Sequence, residues 1–352
     1  MNSVCTHFGT CGGCSLQGLS SEEYRQRKQD GVCAALVRAN LSEVEVEGPF
    51  VVAEHSRRRA VFKFGKEKGR IVIGFHAAKS HAIVDMRECR VLTPALFGLA
   101  QRLRDGLVAI QSDGEKGEVH VTETETGFDL AFRSPRKLAP ALTAALAKAF
   151  SGAGVARIVF NGEMLFGQAA PAVRFGEAVV ALPPHAFLQA TVSGEAVLAE
   201  RVQAALEGAK TVADLFAGLG TFTLPLARRA RVHAVEQDAQ ALAALADGAR
   251  KTKGLKPVTT ETRDLFKIPL TPLELNRFDA VVLDPPRAGA EAQIRSVAGS
   301  KLKRVAYVSC DAGSFARDAA ILVKAGFRAG SVLPVDQFLY SDHIELVGSF
   351  TR

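Results

Sequence analysis

No stretch of this chain approaches the roughly 18–20 consecutive apolar residues that a membrane-spanning helix needs, although 47% of its 352 residues are apolar. The segment from Met1 to Leu19 is polar and cysteine-bearing, with no basic stretch leading into an apolar one. We therefore expect no secretory leader, no membrane association and residence in a reducing cytoplasm. Cysteine is scarce, with six in the chain. In a reducing compartment that argues against a disulfide framework and leaves the thiols for metal binding or catalysis. Internal repeats and low-complexity tracts are absent, which excludes solenoids and disordered linkers. The length favours more than one domain.

What is present begins with charge. The net charge is +7, and between Arg57 and Arg70 seven cations face the single acid Glu67, an excess of six within fourteen residues. A stripe this concentrated is the electrostatic footprint of a polyanion contact, with a solvated basic face as the plainer alternative. The stripe falls on a pattern that predicts a hairpin, strands over 60–65 and 70–75 around the turn 66–69. A helix is expected over 22–41, capped by Ser20 or Ser21. The region 94–184 mixes Ala/Leu-rich helices with short strands such as 118–123 and 157–161, and Pro183-Pro184 marks a junction. The divisions expected are 1–93, 94–184 and 185–352.

After that junction strands alternate with helices: apolar runs at 211–216, 231–236, 279–284 and 305–309, helices over 237–253 and 315–325. The fold class expected is α/β, a doubly wound Rossmann-like sheet preceded by an α+β region, with ligands at the carboxyl ends of the strands. The first of these strands ends in Asp214-Leu-Phe-Ala-Gly-Leu-Gly220, where glycines let the backbone approach a ligand. Glu236 closes the next strand, placed to hold ribose hydroxyls. The third glycine of the dinucleotide pattern is missing, which loosens the fit to a pyrophosphate. Asp214 two residues before Phe216 suits the amino-acid end of S-adenosylmethionine, and Asp264 could reach the adenine amine.

The strand 279–284 runs into Asp284-Pro-Pro-Arg287. A D-P-P turn can signal methylation of an exocyclic nitrogen, but that chemistry wants an aromatic next, and Arg287 stands there. At the end of the following strand is Val308-Ser-Cys310. A thiolate there has a chemical use: adding to carbon 6 of a uracil, it turns the weakly nucleophilic carbon 5 into an enolate carbon that accepts a methyl group. A lone strand-end cysteine is more often a small buried hydrophobe; beside a cofactor loop and a D-P-P turn the catalytic reading gains. Near the amino terminus Cys5, Cys11 and Cys14, with Cys89 farther on, make a close trio and a distant fourth. From spacing alone zinc, an iron–sulfur cluster and free thiols all stay open.

In Phe187-Leu-Gln189, Asp214-Leu-Phe-Ala-Gly-Leu-Gly220, Glu236, Leu283-Asp-Pro-Pro-Arg-Ala-Gly289, Tyr307-Val-Ser-Cys310 and His343-Ile-Glu345, the chain resembles the 5-methyluridine RNA methyltransferases. The resemblance covers nearly the whole sequence. It implies that Cys310 is the nucleophile and Glu345 the base that removes the carbon-5 proton, with Gln189, Phe216, Thr221, Glu236, Asp264 and Asp284 at the S-adenosylmethionine site. It also implies a [4Fe–4S] cluster on Cys5, Cys11, Cys14 and Cys89. That feature belongs to the ribosomal-RNA branch, so 23S rRNA is the partner expected of a monomer, with a tRNA enzyme, a silent RNA-binding scaffold and a dehydrogenase as alternatives. Cys33 is left for the core. Ahead of Cys5 we expect no β-barrel extension, which puts RNA capture on the central region and the hairpin from Arg57 to Arg70. Three motifs depart from the family: Phe-Leu-Gln for F-F-Q, Ser-Cys-Asp-Ala for S-C-N-P, and Asp336-Gln-Phe-Leu-Tyr-Ser for D-M-F-P-H-T.

Overall fold

A computed structural model of the chain describes residues 4–108, 111–137, 140–150 and 154–352. It is built on two large sheets, with a two-stranded ribbon of Ala172–Phe175 and Ala178–Ala181 besides. The larger runs, in spatial order, Phe50–Val51, Arg328–Asp336, Glu345–Thr351, Arg304–Ser309, Ala280–Leu283, Thr211–Leu215, Arg231–Glu236, Val258–Thr262. Its central strands are parallel, and their residues are buried on both faces, as Ala280–Leu283 shows at every position. Glu345–Thr351 is the exception: it runs antiparallel between Arg304–Ser309 and Arg328–Asp336. The α/β, Rossmann-like class expected from the alternating pattern is the one observed.

The second sheet has seven strands, in the order Ile83–Asp85, Arg70–His76, Arg59–Glu67, Lys116–Thr124, Gly127–Arg133, Val155–Phe160, Glu163–Gly167. It takes strands from both sides of residue 93. Along Arg59–Glu67 burial alternates, with Ala60, Phe62 and Phe64 inward. They meet Leu96, Leu99 and Leu103 of the helix Pro94–Val108 in one apolar core. At the hairpin tip Lys68 and Gly69 both have positive φ, 50° and 80°, the requirement of a two-residue turn matched to strand twist.

The amino-terminal helix, Ser21–Arg38, starts at a capping box in which Ser20 and Glu23 satisfy each other's backbone amides. It ends three residues before the predicted 41. Asn40 takes a left-handed conformation, φ 57°, while Leu41 N donates to Leu36 O and Asn40 N to Val37 O, a Schellman termination. This helix belongs with the larger sheet: Val32, Ala35 and Leu36 share a core with Phe315, Leu322 and Phe350. The helix Ala312–Lys324 begins before the predicted 315, because the Asp311 side chain accepts from Ser314 N and caps it. Among the described residues no helix is long and apolar enough to cross a membrane.

Candidate active site at the strand ends

The register of the larger sheet assembles the site. Ser309 pairs with Leu346 across antiparallel strands, which sets Cys310 opposite Glu345. Leu283 pairs with Tyr307 on one side and Leu215 on the other, so Asp284 and Phe216 emerge at the same edge. Phe216 has φ 63°, a conformation costly for a bulky residue and typical of strained functional turns. Gly220, φ 93°, could carry no Cβ, which would stand 2.9 Å from Leu245.

Three carboxyls meet there with too few partners. Glu345 is buried, and its Oε2 has no hydrogen-bond partner. Burial, and then the charge of Asp284, push its pKa well above the usual carboxylate range. Burial raises Asp284 to about 7. Asp214 is fully buried and also raised to about 7, chiefly by burial. One of its oxygens accepts from Thr223 Oγ1 at 2.6 Å, and Oδ1 has no partner. Cys310 is half-buried; desolvation first, then the charges of Glu345 and Asp284, lift its thiol to about 11. Unpaired buried acids cost stability, and such clusters mark functional sites.

A line of amides joins two of these acids. Gln189 Nε2 donates to Asp284 Oδ2 at 3.2 Å, and Gln337 Nε2 donates to Gln189 Oε1 at 2.5 Å. Gln337 also hydrogen-bonds Glu345 and accepts from Ala190 N at 2.8 Å. Sequence reasoning misses Gln337, although it stands where the family motif D-M-F has methionine. The basic pattern assigns Arg59 to the hairpin and not to the site. Its guanidinium lies 4.6 Å from the ring centre of Phe187 and leaves Nε unpartnered. Burial, with Arg57 and Arg58 nearby, lowers it to about 10, and the charge of Glu345 acts the other way. The only signal in the sequence is the alternation that turns Arg59 away from the core.

Of the six residues expected at the cofactor, five cluster at this edge. Glu236 is held by backbone amides of Gly218 (3.1 Å), Gln237 (2.7 Å) and Asp238 (3.0 Å), oriented and with lone pairs to spare. Asp264 is kept below the usual carboxylate range, first by Lys267. The ring of Phe216 lies 5.4 Å from that of Phe266. An ammonium fits the orphaned oxygen of Asp214, an aromatic purine the Phe216 ring, and ribose hydroxyls Glu236, so the residues suit S-adenosylmethionine. Thr221 opens elsewhere, onto a cavity of about 480 Å³ with Arg58, Glu195 and Pro225.

Beside the site, the segment carrying Glu345 is pinned by a second buried group. Lys28 Nζ donates to Asp336 Oδ1 at 2.8 Å and to His343 O at 2.6 Å, and the Tyr24 hydroxyl binds the other Asp336 oxygen. Ser15 N and Leu16 N donate to Tyr340 O at 2.7 and 3.0 Å. Cys5, Cys11, Cys14 and Cys89 all line one cavity of about 660 Å³ that also touches Arg57, Arg59 and His343. Burial lifts Cys14 to about 11, and the other three thiols add to the rise. Among the described residues no three His, Cys, Asp or Glu side chains converge as a single metal ion requires. Cys33 is half-buried on the amino-terminal helix.

The basic stripe divides. Arg58 is buried, paired with Glu195 at 2.6 Å and bound to Gln189 O at 3.1 Å, and Lys63 pairs with Glu118. Lys68 and Arg70 are left exposed near the hairpin tip, with Lys66 half-buried beside them.

The parallel sheet with acids and a Gly-rich turn at its carboxyl edge defines the class: an S-adenosylmethionine-dependent methyltransferase. Comparison with known proteins narrows it. Residues 185–351 match the family described as tRNA (uracil-5-)-methyltransferase. An RNA methyltransferase of Rhizobium meliloti is 43% identical over 99% of this chain and 85% of its own length. The 23S rRNA (uracil(1939)-C(5))-methyltransferase RlmD of Cronobacter sakazakii is 31% identical over 99% of this chain and 81% of its own. The chain belongs to the uracil-5 RNA methyltransferase family. The crystal structure of Pyrococcus abyssi tRNA (uracil-54, C5)-methyltransferase with S-adenosyl-L-homocysteine has the same fold, with a TM-score of 0.76 and 21% identity, over 96% of this chain and 86% of that one.

Proposed function

We propose that this protein transfers a methyl group to carbon 5 of a uridine in 23S rRNA through a covalent bond from Cys310. The observation that carries the reading is the Ser309–Leu346 pairing, which leaves Cys310 at the strand end beside Glu345, whose charge acts on the thiol and which is buried with an unpartnered oxygen. The Cys310 thiol gives its proton to solvent, and the thiolate Sγ bonds to uracil carbon 6 as the ring's π electrons move toward the carbon-4 carbonyl. The resulting enolate is nucleophilic at carbon 5, where the new carbon–carbon bond forms. Glu345, as carboxylate, takes the carbon-5 proton; the ring double bond returns and the carbon 6–sulfur bond breaks, freeing the thiolate. Gln189, Phe216, Glu236, Asp264 and Asp284 would hold S-adenosylmethionine, which supplies an electrophilic methyl group when bound; Thr221, which opens onto another cavity, is left out of that set. A base inside RNA must leave its stack for its ring face to meet a thiol.

The substrate assignment is supported by the ribosomal-RNA enzyme among the relatives that match almost end to end. Cys5, Cys11, Cys14 and Cys89, which line one cavity, would hold a [4Fe–4S] cluster. The cluster would supply a structural anchor for the amino-terminal loop. The enzyme works as a monomer in the cytoplasm, with the basic hairpin from Arg57 to Arg70 near the RNA.

Anaerobically purified protein incubated with methyl-labelled S-adenosylmethionine and unmodified bacterial RNA should place label in 5-methyluridine of 23S rRNA. Label confined to tRNA would overturn the substrate, and label in another nucleoside the chemistry. Iron and sulfide near four each per chain, lost in Cys11→Ala, are expected of the cluster; zinc in their place would refute it.

A further inference from the structure

We propose that the strip of the seven-stranded sheet that carries Lys63, His120 and Arg133 is the track along which the RNA strand flanking the target uridine is held, and that this strip, rather than the hairpin tip, supplies most of the affinity for RNA. The inference rests on the RNA-methylating reading and extends it to a surface. One face of the sheet is closed by the helices Pro94–Val108 and Pro140–Phe150. Strand alternation sends every second residue to the other face. There the register lines up Val61 with His120, and Lys63 with Glu118 and then Arg133.

The charges on this face are unbalanced. Glu118 alone is shared by Lys63, by His120 at 3.2 Å and by Arg133 at 3.5 Å. Asp129 is consumed by the buried Arg157, in a paired contact at 2.8 and 2.7 Å. What remains is cationic and partly aromatic. His185, exposed on the segment that crosses the sheet, sets its ring 5.7 Å from that of His120, edge to face. Desolvation first, then Arg133 and His120, keep His185 below its ordinary pKa. A neutral imidazole beside cations offers a ring to a base and the cations to its phosphate, the combination that holds single-stranded nucleic acid.

The face is continuous with the catalytic cleft. Arg59, two residues from Val61 on the same side of its strand, stacks on Phe187 and feels the charge of Glu345. A strand lying over His120 and Arg133 therefore leads toward the base site. At the hairpin tip, Lys66, Lys68 and Arg70 have no exposed ring beside them in the strand pairing.

The test measures binding of a fluorescein-labelled oligouridylate of about a dozen nucleotides to the full-length protein by anisotropy across a salt series. The variants are H120A/H185A/R133Q and, separately, K66A/K68A/R70A. The sheet-face variant should bind about tenfold or more weakly, with a salt slope smaller by about 0.7 because one phosphate is no longer neutralised. Affinity for S-adenosylmethionine and the melting temperature should stay as in wild type, and the hairpin variant should bind within about twofold of it. Equal affinity of the sheet-face variant, or loss confined to the hairpin variant, overturns the proposal. R133Q alone, at a well-exposed position, provides the same reading if the triple variant does not fold, with the salt slope as its readout. Wild-type methylation of RNA is measured alongside: its absence sinks the enzyme reading, whereas its presence with unchanged variant affinity sinks only the surface.

Discussion

Two buried charge clusters lie within ten residues of one another on the same stretch of chain, and they differ in a single respect. At Asp336 both oxygens are taken, one by Lys28 and one by the Tyr24 hydroxyl, and Lys28 spends a further proton on His343 O. At Glu345, Asp214 and Asp284 the acids crowd each other, two of them with an oxygen unpartnered. The first cluster has the form of scaffold and the second of a site. Asp336, Asp214 and Glu345 are all buried, and what differs is satisfaction. The chain tolerates the unsatisfied cluster because the satisfied one fixes the segment that carries it.

That contrast can be broken most sharply at the proposed nucleophile. Cys310→Ala should lower methyl transfer by roughly ten-thousand-fold or more while leaving S-adenosylmethionine affinity intact, measured by label incorporation and calorimetry. Transfer within tenfold of wild type would remove Cys310 from the chemistry. Glu345→Gln should slow turnover by about a hundred- to ten-thousand-fold. Because the carbon-5 proton then stays in place, a protein–RNA adduct should persist on denaturing gels. Normal turnover with no adduct would assign the proton to another base.

The scaffold cluster predicts a loss of a different kind. Lys28→Met strands the Asp336 carboxylate in the interior and should cost about 3–5 kcal/mol, read from the urea midpoint, with Lys28→Arg losing less. An unchanged midpoint would mean that the pair holds nothing together. The site cluster predicts the reverse sign. Asp284 keeps its proton to about 7, whereas in the unfolded chain it releases it near pH 4. Between those values the folded chain binds the extra proton, so stability falls as pH rises. Asp284→Asn should therefore raise the melting temperature by roughly a few degrees at pH 8 and change it little at pH 4.

The smallest effect is expected at the bridge between acids. The Gln337 hydrogen bond favours the charged form of Glu345. Activity needs the carboxylate and the thiolate, both with raised pKa, so it should climb with pH above neutrality. Gln337→Met, the family's residue, should move that rising limb to higher pH and lower the rate about threefold near neutrality. A fall in rate with no shift of the limb would reduce Gln337 to packing.

Much of this is legible in the sequence, for reasons that differ by element. The parallel strands are visible because burial on both faces demands unbroken apolar runs such as Ala280–Leu283, and the cofactor turn because only glycine fits Gly220 against Leu245. Cys310, Asp284 and Glu236 announce themselves as reactive or acidic residues at strand ends. Helix ends are less legible, since the stop at Asn40 and the start at Asp311 depend on one residue's backbone or cap. Asp336-Gln337 departs from the family motif, and the departure gains a meaning only once Lys28, Tyr24 and Gln189 are brought against it.

The sequence by itself determined the class of fold and the family, and singled out the thiol proposed as nucleophile, because periodicity, glycine sterics and motif order are local properties. The tertiary structure alone decided which charges are spent and which are free. Arg58 and Arg59 are neighbours in the chain, yet one is consumed by Glu195 and the other faces Glu345. Lys28 and Asp336 are 308 positions apart and form one buried pair. An ion pair or an orphaned oxygen is a relation between elements brought together by packing, and no window along the chain contains both of its ends.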